Sequence, residues 1–202
     1  MHVIAATQSA PLSGSLREID RSEAPPIGSL PLLVRLQQRD GAALDDLVRL
    51  YGRGLTRAAY LFLGETHAAE DAVQETLIAA WDSARKVKDA NALRSWLYGV
   101  LFNRCRKRRW RSLTAQRHES SAGMARERSS VRGEDERDQR LAEVTAALRE
   151  LDPELRSLIV LRFERDFSVA ETAQALGIPE GTVKSRTHTA MEALRRRLGV
   201  SE

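Results

Sequence analysis

The strongest constraint on the fold is a set of helix start and stop signals near the C-terminus. Ser168 and Glu171 have the spacing of a capping box, in which the two side chains satisfy each other's free backbone N–H groups. The short helix that they begin ends at Gly177, a residue type that readily adopts the left-handed conformation of a helix stop. A longer helix then runs from about Glu180 to Leu198. A short capped helix, a glycine turn and a longer helix predict a helix-turn-helix.

The outer face of this longer helix favours DNA binding over a plain helical hairpin. At about 100° per residue, one face is apolar and we expect it to be buried from Val183 to Leu198. Basic and short polar side chains on the other face, at Lys184, Ser185, His188 and Thr189 among others, reach base edges in a major groove. The first backbone N–H groups of the helix, near Thr182, are suited to receive a phosphate.

The rest of the chain also carries helical signals. Aromatic residues make up 5% of it, and Val, Ile and Thr never alternate with polar residues over the length of a strand. We therefore predict an all-α fold of two small helical domains joined by a flexible linker. A Ser-, Ala- and Pro-rich start predicts disorder over 1–28, before a first helical domain at 29–111. Polar composition predicts a linker over 112–136, before the helix-turn-helix domain of 137–202.

One predicted helix of the first domain, from about Ala68 to Trp81, has an acidic and polar outer face. Its small and apolar residues share the opposite face, which we expect to be buried. The outward side chains are those of Asp71, Gln74, Glu75, Ile78 and Asp82. A solvated acidic surface is one interpretation, but acidic residues around an exposed isoleucine favour protein docking. The sign of the charge excludes nucleic acid as the ligand of this face.

A second predicted helix, over about 92–111, is apolar in its first half and basic in its second. Between Arg94 and Arg117 there are eight basic residues and no acidic one. Such a block is a candidate binding site for phosphates, and aromatic residues beside it suit stacking on unpaired bases. Trp96 and Tyr98 are nevertheless more typical of a core than of a stacking surface.

Charge and cysteine content narrow the class of protein further. The net charge of +4 favours a polyanionic partner. Cys105 is the only cysteine, which excludes an intrachain disulfide and a multi-cysteine zinc site. Its basic neighbours favour a lowered thiol pKa, but we regard the residue as incidental to function. No apolar run approaches the roughly 20 residues that span a bilayer, so we expect a cytoplasmic protein with no membrane contact of its own.

Two stretches, taken together, resemble a known family. Residues 32–111, with "AEDAVQET" and "SWLYGVLFNRCRKRR", are similar to the promoter-melting domain of RNA polymerase sigma factors. Residues 148–198, with "GIPEGTVKSR", are similar to the C-terminal helix-turn-helix domain of the same family. Because only a linker separates the two, the chain resembles the extracytoplasmic-function (ECF) subfamily.

The resemblance implies a role for each matching position. In the family, the DxxQE element, here Asp71, Gln74 and Glu75, docks on the clamp helices of the largest subunit of core RNA polymerase, and Ile78 shares that face. The loop at about 86–91 would capture a flipped base of the promoter −10 element. The residues implied for the −10 region are Lys86, Lys88, Asn91, Arg94, Asn103, Arg104, Lys107 and Arg108. Those implied for the −35 element are Thr182, Lys184, Ser185, Arg186, His188 and Thr189.

The resemblance therefore predicts a transcription factor rather than an enzyme. It would bind core polymerase, recognise −10 and −35 elements and promote strand opening, with core polymerase, promoter DNA and an anti-sigma factor as partners and no cofactor or metal. A stand-alone helix-turn-helix regulator is one rival, but residues 30–110 show no ligand signature or coiled coil. A nuclease is another, with Asp71 and Glu75 on magnesium, but scattered histidines and the lack of a glycine-rich phosphate loop argue against it.

Overall fold

The computed structural model describes residues 30–119 and 136–198, and within these two ranges it is built from helices, without a strand. The helices of the first range are α1 (Leu30–Gln37), α2 (Gly41–Leu63), α3 (Thr66–Ser83) and α4 (Leu93–Glu119). Those of the second are α5 (Glu136–Glu150), α6 (Pro153–Ile159), α7 (Val169–Leu176) and α8 (Glu180–Leu198). The predicted all-α class is confirmed. The predicted disordered start and most of the predicted linker lie outside the described residues.

The ends of the helices follow the signals in the sequence. Ser168 Oγ accepts a hydrogen bond from the backbone N–H of Glu171 at 3.1 Å, and a Glu171 carboxylate oxygen accepts one from the N–H of Ser168 at 2.8 Å. Asp152 caps α6 ahead of Pro153, which occupies the first turn. Gly177 ends α7 with a φ of 66°. The helix-turn-helix is therefore formed by the residues that predict it.

The first helical range is more continuous than the sequence pattern suggested. The apolar stripes before and after Gly52 and Gly54 belong to one helix, α2, which packs against both α3 and α4. This packing outweighs the cost of about 1 kcal/mol for each helical glycine. α4 continues past Arg111 to Glu119, so the start of the segment that we predicted as linker is helical.

A π-helical turn over Val160–Glu164 follows α6. The wider turn changes the helical register. Phe163, which the spacing of a regular α-helix places on the apolar face with Ile159, is 51% exposed. Phe167, just after the turn, is fully buried instead. Because of this turn, Phe167 rather than Phe163 packs on the face that meets α4.

One continuous apolar core joins helices of the two described ranges. Tyr98 of α4 meets Phe167 edge to face, with ring centroids 5.1 Å apart. Gly99 of α4 lies so close to α7 that a Cβ atom there would be 2.5 Å from the carbonyl oxygen of Ala175. Glycine is needed at this position for the two helix backbones to approach. The two predicted domains are therefore packed against each other, with α4 and α7 at their junction.

A buried arginine also crosses the junction. Arg156 of α6 is fully buried, and its guanidinium donates to the carbonyl oxygens of Leu148, at 2.6 Å, and Leu151, at 2.9 Å. It also donates, at 2.5 Å, to the carbonyl oxygen of Phe62 near the end of α2. Burial lowers the pKa of Arg156 to about 10, so the side chain remains a cation at neutral pH. Its donors satisfy helix-end carbonyls that would otherwise be buried without partners.

Candidate protein and nucleic-acid interfaces

The outer face of α3 has the composition that the sequence predicts. Asp71 and Gln74 are exposed, Glu75 is half-buried, and the opposite face of the helix is buried. Ile78 lies between these polar side chains with 56% of its surface exposed. A large apolar side chain in an acidic surface suits the docking of a cationic protein surface.

Ion pairs link this face to the basic half of α4. Arg108 donates to Asp71 at 2.9 Å and to Glu75 at 2.7 Å, and Arg104 lies 3.8 Å from Glu75. Two residues predicted to bind DNA thus pair with two predicted to bind polymerase. The predicted protein and DNA surfaces meet along the line where α3 packs beside α4.

The loop between α3 and α4 contains two short 3₁₀ turns, Ala84–Lys86 and Ala90–Ala92. The side-chain amide of Gln37, at the end of α1, donates to the carbonyl oxygens of Ala84 at 3.3 Å and Val87 at 3.0 Å. The predicted DNA-binding residues of this loop are all exposed: Lys86, Lys88 and Asn91. The loop is therefore held in place from behind while its polar side chains face solvent.

Arg94, predicted to contact the −10 strand, lies in the junction between the two halves of the molecule. Its guanidinium is 3.3 Å from the carboxylate of Glu171, donates to the carbonyl oxygen of Arg165, and lies 4.0 Å from the ring centre of Phe167. Burial opposes ionisation of Glu171, but hydrogen bonds from Ser168 and the charge of Arg94 together lower its pKa. The structure thus separates Arg94 from the exposed residues of the loop.

The basic end of α4 points in several directions. Arg104 and Arg108 face α3, whereas Asn103 and Lys107 are exposed on another side. Trp110 shares that exposed side, with 68% of its surface accessible. The sequence-based prediction missed Trp110, although its position seven residues after Asn103 places the two on one helical face.

Cys105 lies in the apolar core, whereas its neighbours in sequence had suggested a basic surface. Its side chain lies on the buried side of α4 and is fully buried. Burial raises the pKa of the Cys105 thiol to about 12, which outweighs the charges of neighbouring Arg108 and Arg106. The prediction of a lowered pKa is wrong, because helical periodicity turns this residue away from the basic surface.

The outer face of α8 is open. The exposed members of the predicted −35 set are Lys184, Ser185, His188 and Thr189. Thr182 and Arg186 are half-buried, and Arg186 pairs with Glu154 of α6. Val183 is buried as predicted, but Leu198, expected to pack inward, is 45% exposed at the end of the helix.

Comparison with known protein families gives one match in each of the two described ranges. Residues 34–115 match the family described as Sigma-70 region 2, and residues 147–196 match Sigma-70, region 4. The ECF RNA polymerase sigma factor SigL of Mycobacterium tuberculosis is 37% identical over 146 residues, which cover 70% of this chain and 80% of SigL. The chain is an ECF sigma factor. SigM of the same organism is 33% identical over 162 residues, 79% of each chain. As a sigma factor, the protein acts in transcription initiation and is not an enzyme.

Solved structures share the helical arrangement of this sigma factor. CnrH, in complex with the cytosolic domain of CnrY, has a TM-score of 0.65 and 25% sequence identity over 85% of this chain and 97% of CnrH. RpoE of Bartonella quintana, in complex with the anti-sigma factor NepR, has a TM-score of 0.64 and 24% identity over 78% of this chain and 98% of RpoE. Both confirm the fold. None of the described helices is long and apolar enough to cross a membrane.

Proposed function

We propose that this sigma factor docks on the clamp helices of core RNA polymerase through the α3 face, reads the −35 element with α8, and captures the opened −10 strand with the α3–α4 loop and α4. One observation carries the proposal: the chain presents an acidic face with an exposed isoleucine and, separately, exposed basic and polar faces on two other elements. Opposite charges on separate surfaces suit simultaneous binding of a protein and a polyanion.

The docking face is organised before any partner binds. One terminal nitrogen of the Arg108 guanidinium donates to Asp71 at 2.9 Å and the other donates to Glu75 at 2.7 Å. These two hydrogen bonds restrict the rotamers of both carboxylates. A preorganised acidic pair loses less conformational entropy when it meets cations of a partner. Ile78 supplies the apolar contact next to this pair.

On the DNA side, α8 supplies base readout and the first domain supplies strand capture. Lys184, Ser185 and His188 extend from the N-terminal half of the recognition helix, where side chains reach base edges. Opening a duplex costs about 1.4 kcal/mol per stacked step, which capture of an unpaired base and electrostatic binding of the displaced strand offset. Arg104 and Arg108 would contribute to this surface from the edge that α4 shares with α3, while they keep their ion pairs with Asp71 and Glu75.

The two DNA-binding units must separate to do this. The −10 and −35 elements are named for their positions, so their centres are about 25 base pairs apart, which is about 85 Å along B-DNA. A compact body of the size described here is about 40 Å across. Separation also frees Arg94 from Glu171 and Phe167. We therefore include in the proposal an open form on the promoter.

An anti-sigma factor is the second proposed protein partner. RpoE of Bartonella quintana is bound to the anti-sigma factor NepR, and CnrH is bound to the cytosolic domain of CnrY. Because this chain shares their fold with both halves packed together, we propose that such a partner binds the packed form.

The docking assignment is tested with Ile78→Lys, because Ile78 contributes exposed surface and no ion pair. Val48→Lys on α2 is the matched control, since Val48 is also an exposed aliphatic residue, at 45%. We expect Ile78→Lys to weaken binding to core polymerase by about ten- to a hundredfold, with a matching loss of run-off transcription, while Val48→Lys binds as wild type. Wild-type affinity of Ile78→Lys for core polymerase would contradict the assignment.

A further inference from the structure

The α3–α4 loop, to which the proposed function assigns base capture, consists of two short turns with different supports. The second turn is held by its own residues, since the side chain of Asp89 accepts a hydrogen bond from the N–H of Asn91 at 2.9 Å. The first turn, Ala84–Lys86, closes with a hydrogen bond of 3.0 Å from the N–H of Val87 to the carbonyl oxygen of Ala84. This first turn is also held by a residue of another helix, α1.

That residue is Gln37, at the end of α1, and it binds both ends of the first turn. Its side-chain amide donates to the carbonyl oxygens of Ala84, at 3.3 Å, and Val87, at 3.0 Å. In return, the guanidinium of Arg85 donates to the backbone carbonyl oxygen of Gln37 at 3.3 Å. The preceding residue, Leu36, is fully buried in the core, so α1 presents the amide from an anchored position. A helix far away in the sequence therefore fixes the backbone of this turn.

The side chains of the loop alternate between the core and solvent. Ala84, Val87 and Ala90, at spacings of three residues, are buried. Lys86 and Lys88 are exposed, and they directly precede and follow Val87 in the chain. The position of the Val87 backbone therefore determines where both of these lysines emerge. By holding the Val87 carbonyl oxygen, Gln37 positions two cations of the predicted −10 set.

Restricting the loop before DNA arrives makes base capture more favourable. A loop that already has its binding conformation loses less conformational entropy when its ligand binds. We propose that Gln37 is a positioning residue that holds the α3–α4 loop in the conformation that captures an unpaired base of the −10 element. The inference rests on the proposed function, because it needs this loop to be the site of capture. It adds a residue of α1 that acts through the backbone of the loop.

The test uses one substitution and a matched control at the neighbouring residue. Gln37→Met keeps the length and bulk of the side chain and removes the amide donor. Gln38→Met makes the same chemical change at an exposed residue. Each full-length variant is assembled with core polymerase, and its unfolding is followed by chemical denaturation. Gln37 lies outside the docking face of α3, so both variants should bind core polymerase as wild type.

The probe is a promoter that the wild-type holoenzyme transcribes, prepared with its −10 element already unpaired by mismatches. One base of the unpaired non-template strand at a time is replaced by an abasic site, and the affinity of the holoenzyme is measured for each template. We expect the wild type and Gln38→Met to lose about tenfold in affinity when the captured base is removed. Gln37→Met should lose about threefold or less, because its loop gains less from that base. A misfolded fraction lowers binding to intact and abasic templates alike, so it does not change this ratio.

Either of two results would overturn the inference. One is a full tenfold loss in Gln37→Met, which would mean that base capture does not depend on the amide. The other is an equally reduced loss in Gln38→Met, which would make the effect a general one of the end of α1.

Asn91→Ala, in the loop itself, separates failure of the inference from failure of the proposed function. If Asn91→Ala weakens binding to the intact template while Gln37→Met behaves as wild type, the loop captures the base without Gln37, and only the inference fails. If neither variant differs from wild type on any template, the loop is not the site of capture, and the proposed −10 function fails with the inference.

Discussion

α4 and α8 are both basic helices, yet their cations have different surroundings. On α4, Arg94 is held in the junction, and Arg104 and Arg108 are held by α3. On α8, Lys184 and its exposed neighbours face solvent, while Arg186 pairs with α6 and Arg197, near the end of the helix, pairs with Glu150 of α5. These three arginines of α4 therefore contribute to the packing of the protein as well as to its charge. The outer face of α8 is available to DNA in the packed form, whereas much of α4 is available only after rearrangement.

The difference between the α4 and α8 cations depends on the junction between the two halves of the molecule. Of the substitutions considered, we expect loss of Arg156 to destabilise this junction most. Arg156→Met leaves several buried carbonyl oxygens without donors, at about 1–3 kcal/mol each. We expect the free energy of unfolding, measured by chemical denaturation, to fall by about 3–5 kcal/mol. Arg196→Met, on the exposed face of α8, is the control and should change it by less than about 0.5 kcal/mol. Equal effects would show that the buried hydrogen bonds do not stabilise the junction.

A smaller change should open the junction without unfolding the protein. Gly99→Ala places a Cβ atom 2.5 Å from the carbonyl oxygen of Ala175, so α4 and α7 must move apart, at a cost of about 1–3 kcal/mol. Small-angle scattering should then give a larger radius of gyration. Gly52→Ala, with only ordinary contact to Val48, should keep the wild-type radius. An unchanged radius in Gly99→Ala would mean that the helices absorb the methyl group locally.

One pair of substitutions compares the helices directly. Lys184→Ala on α8 should weaken holoenzyme binding to promoter DNA by about fivefold or more and leave stability within about 0.5 kcal/mol of wild type. Arg108→Met on α4 should lower stability by about 0.5 kcal/mol and also weaken binding to core polymerase, because it releases Asp71 and Glu75. If Arg108→Met affected only DNA binding, its ion pairs with α3 would have no structural role.

The smallest expected effect concerns the buried side of α4. Because burial raises the pKa of Cys105 to about 12, its thiol stays protonated at pH 8 and is shielded from reagents. Iodoacetamide should leave the native protein unmodified, as measured by mass spectrometry, and should alkylate it fully in denaturant. Rapid labelling of the native protein would place Cys105 with the exposed side of the helix.

Local signals predicted the parts of the fold that depend on neighbours in sequence. The capping box of Ser168 and Glu171 and the stop at Gly177 are satisfied within one or two helical turns, so sequence spacing is enough to identify them. The exposed isoleucine of α3 follows from helical periodicity in the same way. Periodicity failed at Phe163, because a π-helical turn changes the register there.

Contacts between distant segments could not be predicted in this way. A row of arginines in the sequence gives total charge but does not say which side chains find carboxylates on another helix. The partners of Arg94, Arg108 and Arg156 lie on other elements. Only the packing of α4 against α3 and α7, and of α6 against α2, brings them together. The exposure of Trp110 and the burial of Cys105 likewise depend on which side of α4 the neighbouring helices cover.

The sequence by itself determined the helical class, the helix-turn-helix and the presence of one acidic and two basic surfaces, because these depend on residue type and on periodicity along a single helix. Only the tertiary structure decided which of the basic side chains are free to bind a ligand. Helix packing sets distances between residues far apart in the chain, and an ion pair or a buried hydrogen bond forms only where those distances are short.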